Sequence, residues 1–386
     1  MSARTTPTTS GGDPTATATG TPGPVRPGSA RLHAIDPLLL PGRLLLHAGR
    51  IRLLVRRRSI LVAAVLLILL AGAMVLSLSL GTPYVAPVDV LHSLRNLGAP
   101  DGAGTPYDLV VNKLRLPRVV LAVAVGAAFG IAGTLIQSVA RNPLASPDVI
   151  GITQGAGLVA TVALTTGASA AILAPSALVG GLLAAAAVFV LGARHGLAAQ
   201  RFVLAGVAVA IALRAVTEVV MLSADPIDGQ RAQIWLVGTL AGKGWTEAGW
   251  IALTLLVLLP ALLWAGWALH SSALDDDTAR GLGLRPTARR VGLAGVGVLV
   301  AAMVTAQVGA VDFVALVAPQ VARRLVRSER PPLLCAALVG ALLVVLADLA
   351  GRRLFAPTQL PAGVLTAAIG GPYLLFLLVR GRRRNP

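Results

Sequence analysis

Three sets of residues have types and spacings that could do chemistry. The first is a group of arginines at the edges of apolar runs: Arg115 and Arg118 bracket a proline in RLPR, and Arg352 and Arg353 close ADLAGRR. A guanidinium makes bidentate pairs with carboxylates, so arginines at such a boundary suit an acidic protein partner. They could equally pair with Asp101, Asp108 and lipid phosphates. Asp348 lies one helical turn before Arg352 and is placed to hold it. The second set is LDDDTARGLGL, comprising Leu274, Asp275, Asp276, Asp277, Thr278, Ala279, Arg280, Gly281, Leu282, Gly283 and Leu284. Acids at its start and glycines toward its end read as a short helix with a favourable dipole. Three acids could also hold Mg²⁺ and a diphosphate, as in membrane prenyltransferases, but a second acidic cluster is absent. The third set is Arg214 and Glu218, four apart in an apolar stretch and able to pair along one helix face. Such a pair can line a water-filled route or simply neutralise itself.

Other chemistries are excluded. There is no G-x-x-x-x-G-K-[ST] stretch, so the chain cannot cradle a nucleotide by the P-loop mechanism. The one cysteine, Cys335, allows neither an intrachain disulfide nor a cysteine metal site. No plausible catalytic set and no metal-ligand set is present, and no cofactor is expected on this chain. Energy for any transport must come from another subunit or from an ion gradient. A gradient-driven transporter would want ionisable groups inside its spans, and only Arg214, Glu218 and Asp348 qualify.

The elements that position these residues follow from composition. Of 386 residues, 55% are hydrophobic and only 13% charged, and the mean hydropathy is +0.79. Soluble domains carry about a quarter charged residues, so this is a membrane protein. Apolar runs of roughly 17 to 25 residues suit helices, and they lack the alternation of a membrane β-barrel. The fold class is all-α and polytopic. Spans are expected at 60–80, 119–138, 149–168, 172–192, 202–222, 248–269, 291–310, 312–326, 333–351 and 363–379, ten in total. The run 60–80 is longer than a usual signal-peptide core and no A-x-A-like site closes it, so it reads as a true first span.

Residues 1–41, rich in Thr, Pro, Gly and Ser, read as a disordered tail. Residues 42–59 form a basic juxtamembrane segment that either lies on an anionic membrane surface or merely orients the first span. The ten-span core runs over 60–380, including the inside loop 270–290, and a basic end follows at 381–386. Net charge is +17, but the arginines cluster at the chain ends and in short links, which is a cytoplasmic membrane face and not a nucleic-acid surface. Nine arginines against two aspartates in 1–59, and RGRRR at 380–384, put both termini inside. The weakest of the ten spans is 312–326, kept because without it the last arginines would face outward. On this count Arg115, Arg118, Arg352 and Arg353 fall outside, against the usual preference.

RLPR, RNPLASPDVIGITQGAG (141–157), IWLVGTLAGKGW (234–245), LDDDTARGLGL, FVALVAPQVAR (313–323), ADLAGRR and QLPAGVLTAAIGGPYLLFLL (359–378) resemble, in order, the FecCD-type permeases of ABC importers for ferric siderophores, haem and cobalamin. The resemblance covers everything from about 60 to 380. It implies a ten-helix subunit of a type II ABC importer in the cell membrane, dimerising around a central pathway. The implied partners are two ATPases, which use ATP and Mg²⁺, and a periplasmic or lipid-anchored binding protein. It further implies that Arg115, Arg118 and Arg352 dock glutamates of that binding protein. Leu274 to Leu284 would couple to the ATPase, and Arg214 and Glu218 would sit beside the route. Pro361, Gly363, Gly370, Gly371 and Pro372 should break or bend the last span near the gate. Most of the family reads Gly-Leu and Pro-His where this chain has Ala315 and Gln320. Together with SPDVIGIT and IGGPYLL, this looks like one of the two unlike permeases of ferric-enterobactin-type importers, so a heterodimer with a sister permease is favoured. The expected cargo is an iron chelate, a catecholate-type ferric siderophore, with haem or cobalamin as alternatives. The rival reading is a gradient-driven secondary transporter.

Overall fold

A computed structural model describes residues 43–48, 51–97, 106–148, 150–193, 199–271, 276–283, 285–328 and 332–382. The expected tail at 1–41 and the last residues of the basic C-terminus lie outside them. The chain divides into two units, Met1–Arg56 and Arg57–Pro386.

The described part of the first unit is a ribbon of two antiparallel strands, β1 (Arg43–Ala48) and β2 (Ile51–Arg56), with two residues between them. The sequence did not indicate strands here. Leu, Val and Ile at most positions favour a pleated strand, and with basic residues spaced along them they mimic a surface segment of either kind.

The second unit is all-α. Each expected span coincides with a helix or a pair of helices. These are α1 (Arg57–Ser79), α3 (Leu116–Ala140), α4 (Ile152–Thr165), α5 (Ala170–Ala193), α6 (Ala199–Leu222), the pair α8 (Trp245–Val257) and α9 (Leu259–Ser271), α11 (Pro286–Val308), α12 (Val314–Val326), α13 (Leu333–Arg353) and α14 (Ala362–Arg382). Short helices α2 (Pro87–Arg95), α7 (Pro226–Val237) and α10 (Asp276–Gly281) occupy the links, and a π-helical stretch, Leu109–Arg115, runs straight into α3. Among the described residues six helices are long and apolar enough to cross a membrane, or seven if α8 and α9, bent by 57°, form one span. Others fall short by this measure: α4 is Ile152–Thr165, the apolar stretch counted in α14 is Ala362–Phe376, and α12 has 13 residues, about 20 Å at about 1.5 Å per residue.

The core is built around α3, α11 and α13. Glycine spacing on α3 sets the approach: a Cβ on Gly126 would lie 2.2 Å from the Gly340 carbonyl oxygen, and one on Gly130 would lie 2.3 Å from that of Ala336. Backbones in such contact gain dispersion over a long seam, which is how helices associate where lipid gives no hydrophobic drive. At its far end α3 stops at Arg141, in a left-handed conformation with φ 47°. Asn142 then folds the chain back, its Oδ1 accepting the Leu144 N–H at 2.9 Å. The tight turn therefore begins at Arg141, one residue before the Asn142-Pro143 pair.

Between α11 and α12 the backbone is not helical. Gly309 (φ 78°) ends α11, and a Cβ there would lie 2.1 Å from the Trp235 carbonyl oxygen. The links on either side are tied by Thr239 N–H to the Val308 carbonyl (2.9 Å) and Gly363 N–H to the Gly238 carbonyl (3.2 Å). Irregular backbone is tolerated at membrane depth only where protein or a water-filled cavity satisfies it. Val308, Ala310 and Val311 are accordingly buried.

Candidate docking face, coupling helix and intramembrane route

At the end of the helical unit where α3 begins and α13 ends, Asp348 is 2% exposed and sits between two arginines. Arg118 donates to its Oδ1 from Nε (3.0 Å) and Nη2 (2.8 Å). Arg352 Nε pairs with Oδ2 at 3.0 Å. The outer nitrogens of both arginines reach further partners: Arg118 Nη1 to Gln359 Oε1 at 3.3 Å, and Arg352 Nη2 to the Ser77 hydroxyl at 2.6 Å. The sequence placed Asp348 behind Arg352; the fold adds Arg118, 230 residues away, to the same carboxylate. One carboxylate between two guanidiniums leaves surplus positive charge, and the exposed Arg353 adds to it.

Arg115 is placed differently from its two companions. Its side chain is buried and donates to the carbonyls of Leu78 (2.7 Å), Ser79 (3.3 Å) and Pro83 (2.6 Å). These are carbonyls at and just beyond the C-terminus of α1, where a cation is favoured by the helix dipole and satisfies acceptors that have no intrahelical donor. The geometry gives Arg115 a capping position, separate from the Arg118–Asp348–Arg352 cluster.

Within the loop 270–290, Leu274, Asp275 and Leu284 lie outside the described residues. The expected short helix is present as α10, Asp276 to Gly281, and spans Asp277, Ala279 and Arg280. Gly283 ends it in a left-handed conformation (φ 73°), its N–H bonded to the Arg280 carbonyl at 2.9 Å. Ala279 is buried against the unit, whereas Leu282 is 65% exposed.

Arg214 and Glu218 pair on α6 at 3.1 Å with side chains 71% and 63% exposed. Around them Leu204, Ile211, Val219 and Leu222 are exposed as well. The residues expected at the gate take other neighbours. A Cβ on Gly370 would lie 2.2 Å from that of Phe313, at the start of α12, while one on Gly371 would meet nothing within 4 Å. The helix α14 is not interrupted at Gly370, Gly371 and Pro372. Below them Arg324 of α12 stacks over the rings of Tyr373 (5.5 Å) and Phe376 (5.7 Å). Thus α12 grips α14 on both sides of the glycine pair.

Sequence reasoning missed the polar junction at the start of α12. Asp148 accepts the Thr153 hydroxyl at 2.7 Å and the Phe313 N–H, beside the charge of Asp312. Local pattern does not mark it, because Asp148 lies in a link and Asp312 at the first position of the expected 312–326 span, and only the fold brings the two acids together. Gln320, which stands where the family usually has His, donates to Gln137 Oε1 (2.7 Å) and to the Pro143 carbonyl (3.0 Å). Gln137 in turn donates to the Leu316 carbonyl at 3.1 Å. The glutamine keeps a buried donor on the seam between α3 and α12. In the link between α7 and α8, Lys243 donates to the Gln307 carbonyl, and burial lowers its pKa while Glu247 opposes the shift.

An all-helical, multi-pass unit of this arrangement is the permease of an ABC importer. It matches a metal-chelate type ABC transporter solved in an inward-facing conformation, with a TM-score of 0.71 and 27% identity, covering 83% of this chain and 99% of that one. The chain belongs to the FecCD transport family, whose model matches residues 66–380. It is 40% identical to the achromobactin transport system permease protein CbrC of Dickeya dadantii, covering 82% of this chain and 90% of that protein. It is 38% identical to the ferric enterobactin transport system permease protein FepG of Escherichia coli, covering 72% and 84% respectively. The chain is a transport subunit and not an enzyme.

Proposed function

We propose that this chain is the membrane subunit through which an ATP-driven importer passes an iron chelate into the cell. The observation that carries the reading is the Arg118–Asp348–Arg352 cluster at one end of an importer permease fold, an ion-paired group with a net positive charge whose arginine side chains are 16% and 11% exposed. The acidic surface of a binding protein could accept from the guanidinium hydrogens that Asp348, Gln359 and Ser77 leave unused. At the opposite end, α10 with exposed Leu282 is a contact for an ATPase, which would use ATP and Mg²⁺ on its own chain. The relatives named above carry different chelates by name, which supports an iron chelate as cargo. A catecholate-type ferric siderophore is our preferred substrate, with haem and cobalamin as the family alternatives.

We further read the chain as crossing the cell membrane ten times with both termini in the cytoplasm, as its arginine distribution favours. The eighth crossing then combines the non-helical link 309–313 with α12. The exposed Arg214–Glu218 pair on a largely uncovered α6 would be costly against lipid. It fits a water-filled route shared with a second, unlike permease. A gradient-driven transporter has no comparable support.

The test is uptake in proteoliposomes containing this chain, a sister permease, the ATPases and the binding protein. Arg118→Gln with Arg352→Gln should weaken capture of the binding protein by about tenfold or more, and lower uptake in parallel. Unchanged capture and uptake would overturn the docking assignment.

A further inference from the structure

The ribbon of β1 and β2 is the part of the described chain that the transport reading leaves unused. Its register pairs Arg43 with Arg56, Leu44 with Val55, Leu45 with Leu54, Leu46 with Leu53, His47 with Arg52, and Ala48 with Ile51. Successive strand positions fall on opposite faces. One face therefore takes Leu44, Leu46, Ala48, Ile51, Leu53 and Val55, without a single polar residue. The other takes Arg43, His47, Arg52 and Arg56, with only the Leu45–Leu54 pair between them. The sequence showed alternation of leucine and arginine; only the pairing register sorts it into an apolar and a basic face.

A two-stranded ribbon has no second layer and is marginal by itself in water, so an entirely apolar face calls for a cover. The chain indicates which one. Arg56 is followed directly by Arg57, the first residue of α1, which is long and apolar enough to cross a membrane. With no linker between ribbon and span, the leaflet at which α1 begins is the apolar phase within reach. The charge agrees: Arg43, Arg50, Arg52, Arg56, Arg57 and Arg58 occur with no acidic residue among them. Basic segments beside a span are drawn to anionic lipid, and an amphipathic surface element binds by apolar area and charge together.

We propose that β1–β2 is an interfacial anchor, a β-ribbon lying on the anionic leaflet at the start of α1 with its apolar face in the acyl boundary. The inference does not depend on what the permease carries or on whether it couples to an ATPase.

The test uses the full chain in nanodiscs, in a Cys335→Ala background that removes the one native thiol. If that variant expresses poorly, the native chain serves, with its buried thiol as background. Nitroxides are attached at Leu46→Cys, Leu53→Cys, His47→Cys and Arg52→Cys in separate samples, and their collisions with oxygen and with a water-soluble nickel chelate are compared. In discs containing phosphatidylglycerol, oxygen should dominate at 46 and 53 and the nickel chelate at 47 and 52. In purely phosphatidylcholine discs, or at high salt, that contrast should shrink. Equal water access at all four sites overturns the anchor. An equal contrast in both lipids overturns the role of the arginines. A contrast that appears only with two chains per disc, or only after a partner subunit is added, shows that protein covers the face and also overturns the proposal.

Discussion

Asp348 decides how Arg118 and Arg352 behave. A buried carboxylate shared by Arg118 and Arg352 neutralises part of two charges and fixes both side chains, so replacing it leaves two like charges facing each other. Asp348→Asn should therefore be more disruptive than either arginine change, lowering stability by about 3 kcal/mol or more, read as thermal unfolding of the purified chain in detergent. Arg115→Gln separates its role from that of the cluster. Stripping the donor from the carbonyls of Leu78, Ser79 and Pro83 should cost about 1–3 kcal/mol of stability. Capture of the binding protein by the folded fraction should stay unchanged. If Arg115→Gln instead abolished capture at unchanged stability, its capping position would not be its function. The sequence could name all three arginines as a group, since each stands at an apolar boundary. It could not divide them, because a guanidinium facing carbonyls and one facing a carboxylate have the same sequence signature.

Among the elements, the central seam rests on small residues. Gly340 and Gly126 put their backbones where a Cβ would lie 2.1–2.2 Å from the opposing carbonyl oxygen, so Gly340→Ala must push α13 off α3. The expected cost is about 1–3 kcal/mol. Because Asp348 rides on α13 two turns further on, the same change should also loosen the Arg118–Asp348–Arg352 cluster. Folded yield by size-exclusion chromatography and binding-protein capture should fall together, and loss of neither would mean that the helices can slide apart without consequence. The spacing of Gly126, Gly130 and Gly133 in the sequence marks one side of this seam, since small residues four and three apart let helices approach closely. The partner is not marked, since small residues recur in almost every span of this sequence and their period does not say which pair meets. The short helices show the complementary limit. Hydropathy marked 312–326 as a span, but α12 covers only Val314–Val326, and the residues before it are non-helical, Gly309 and the Val308 carbonyl being claimed by the 235–239 segment.

For the whole molecule, the useful distinction is between energy from a partner ATPase and energy from a gradient. In the reconstituted importer, disabling ATP hydrolysis should abolish uptake, while Glu218→Gln should leave it within about threefold of the parent, as expected when an exposed ion pair contributes under 1 kcal/mol. The reverse pattern would favour a secondary transporter. Leu282→Asp should break the link between the two halves of the machine, with ATPase association lost and the permease still folded and still able to capture the binding protein. By itself the sequence determined that the chain is a polytopic helical membrane protein, where its apolar helices lie, and which family it resembles. Those properties follow from local hydropathy, charge at helix ends and collinear motifs, all of which act over short stretches of chain. Tertiary structure decided that Arg118 and Arg352 share Asp348, that Arg115 caps α1, that Asp148 reaches the start of α12, and that the leucines of residues 43–56 sort by strand register. Each of these depends on which distant backbones approach closely enough to pair, and no local period records that.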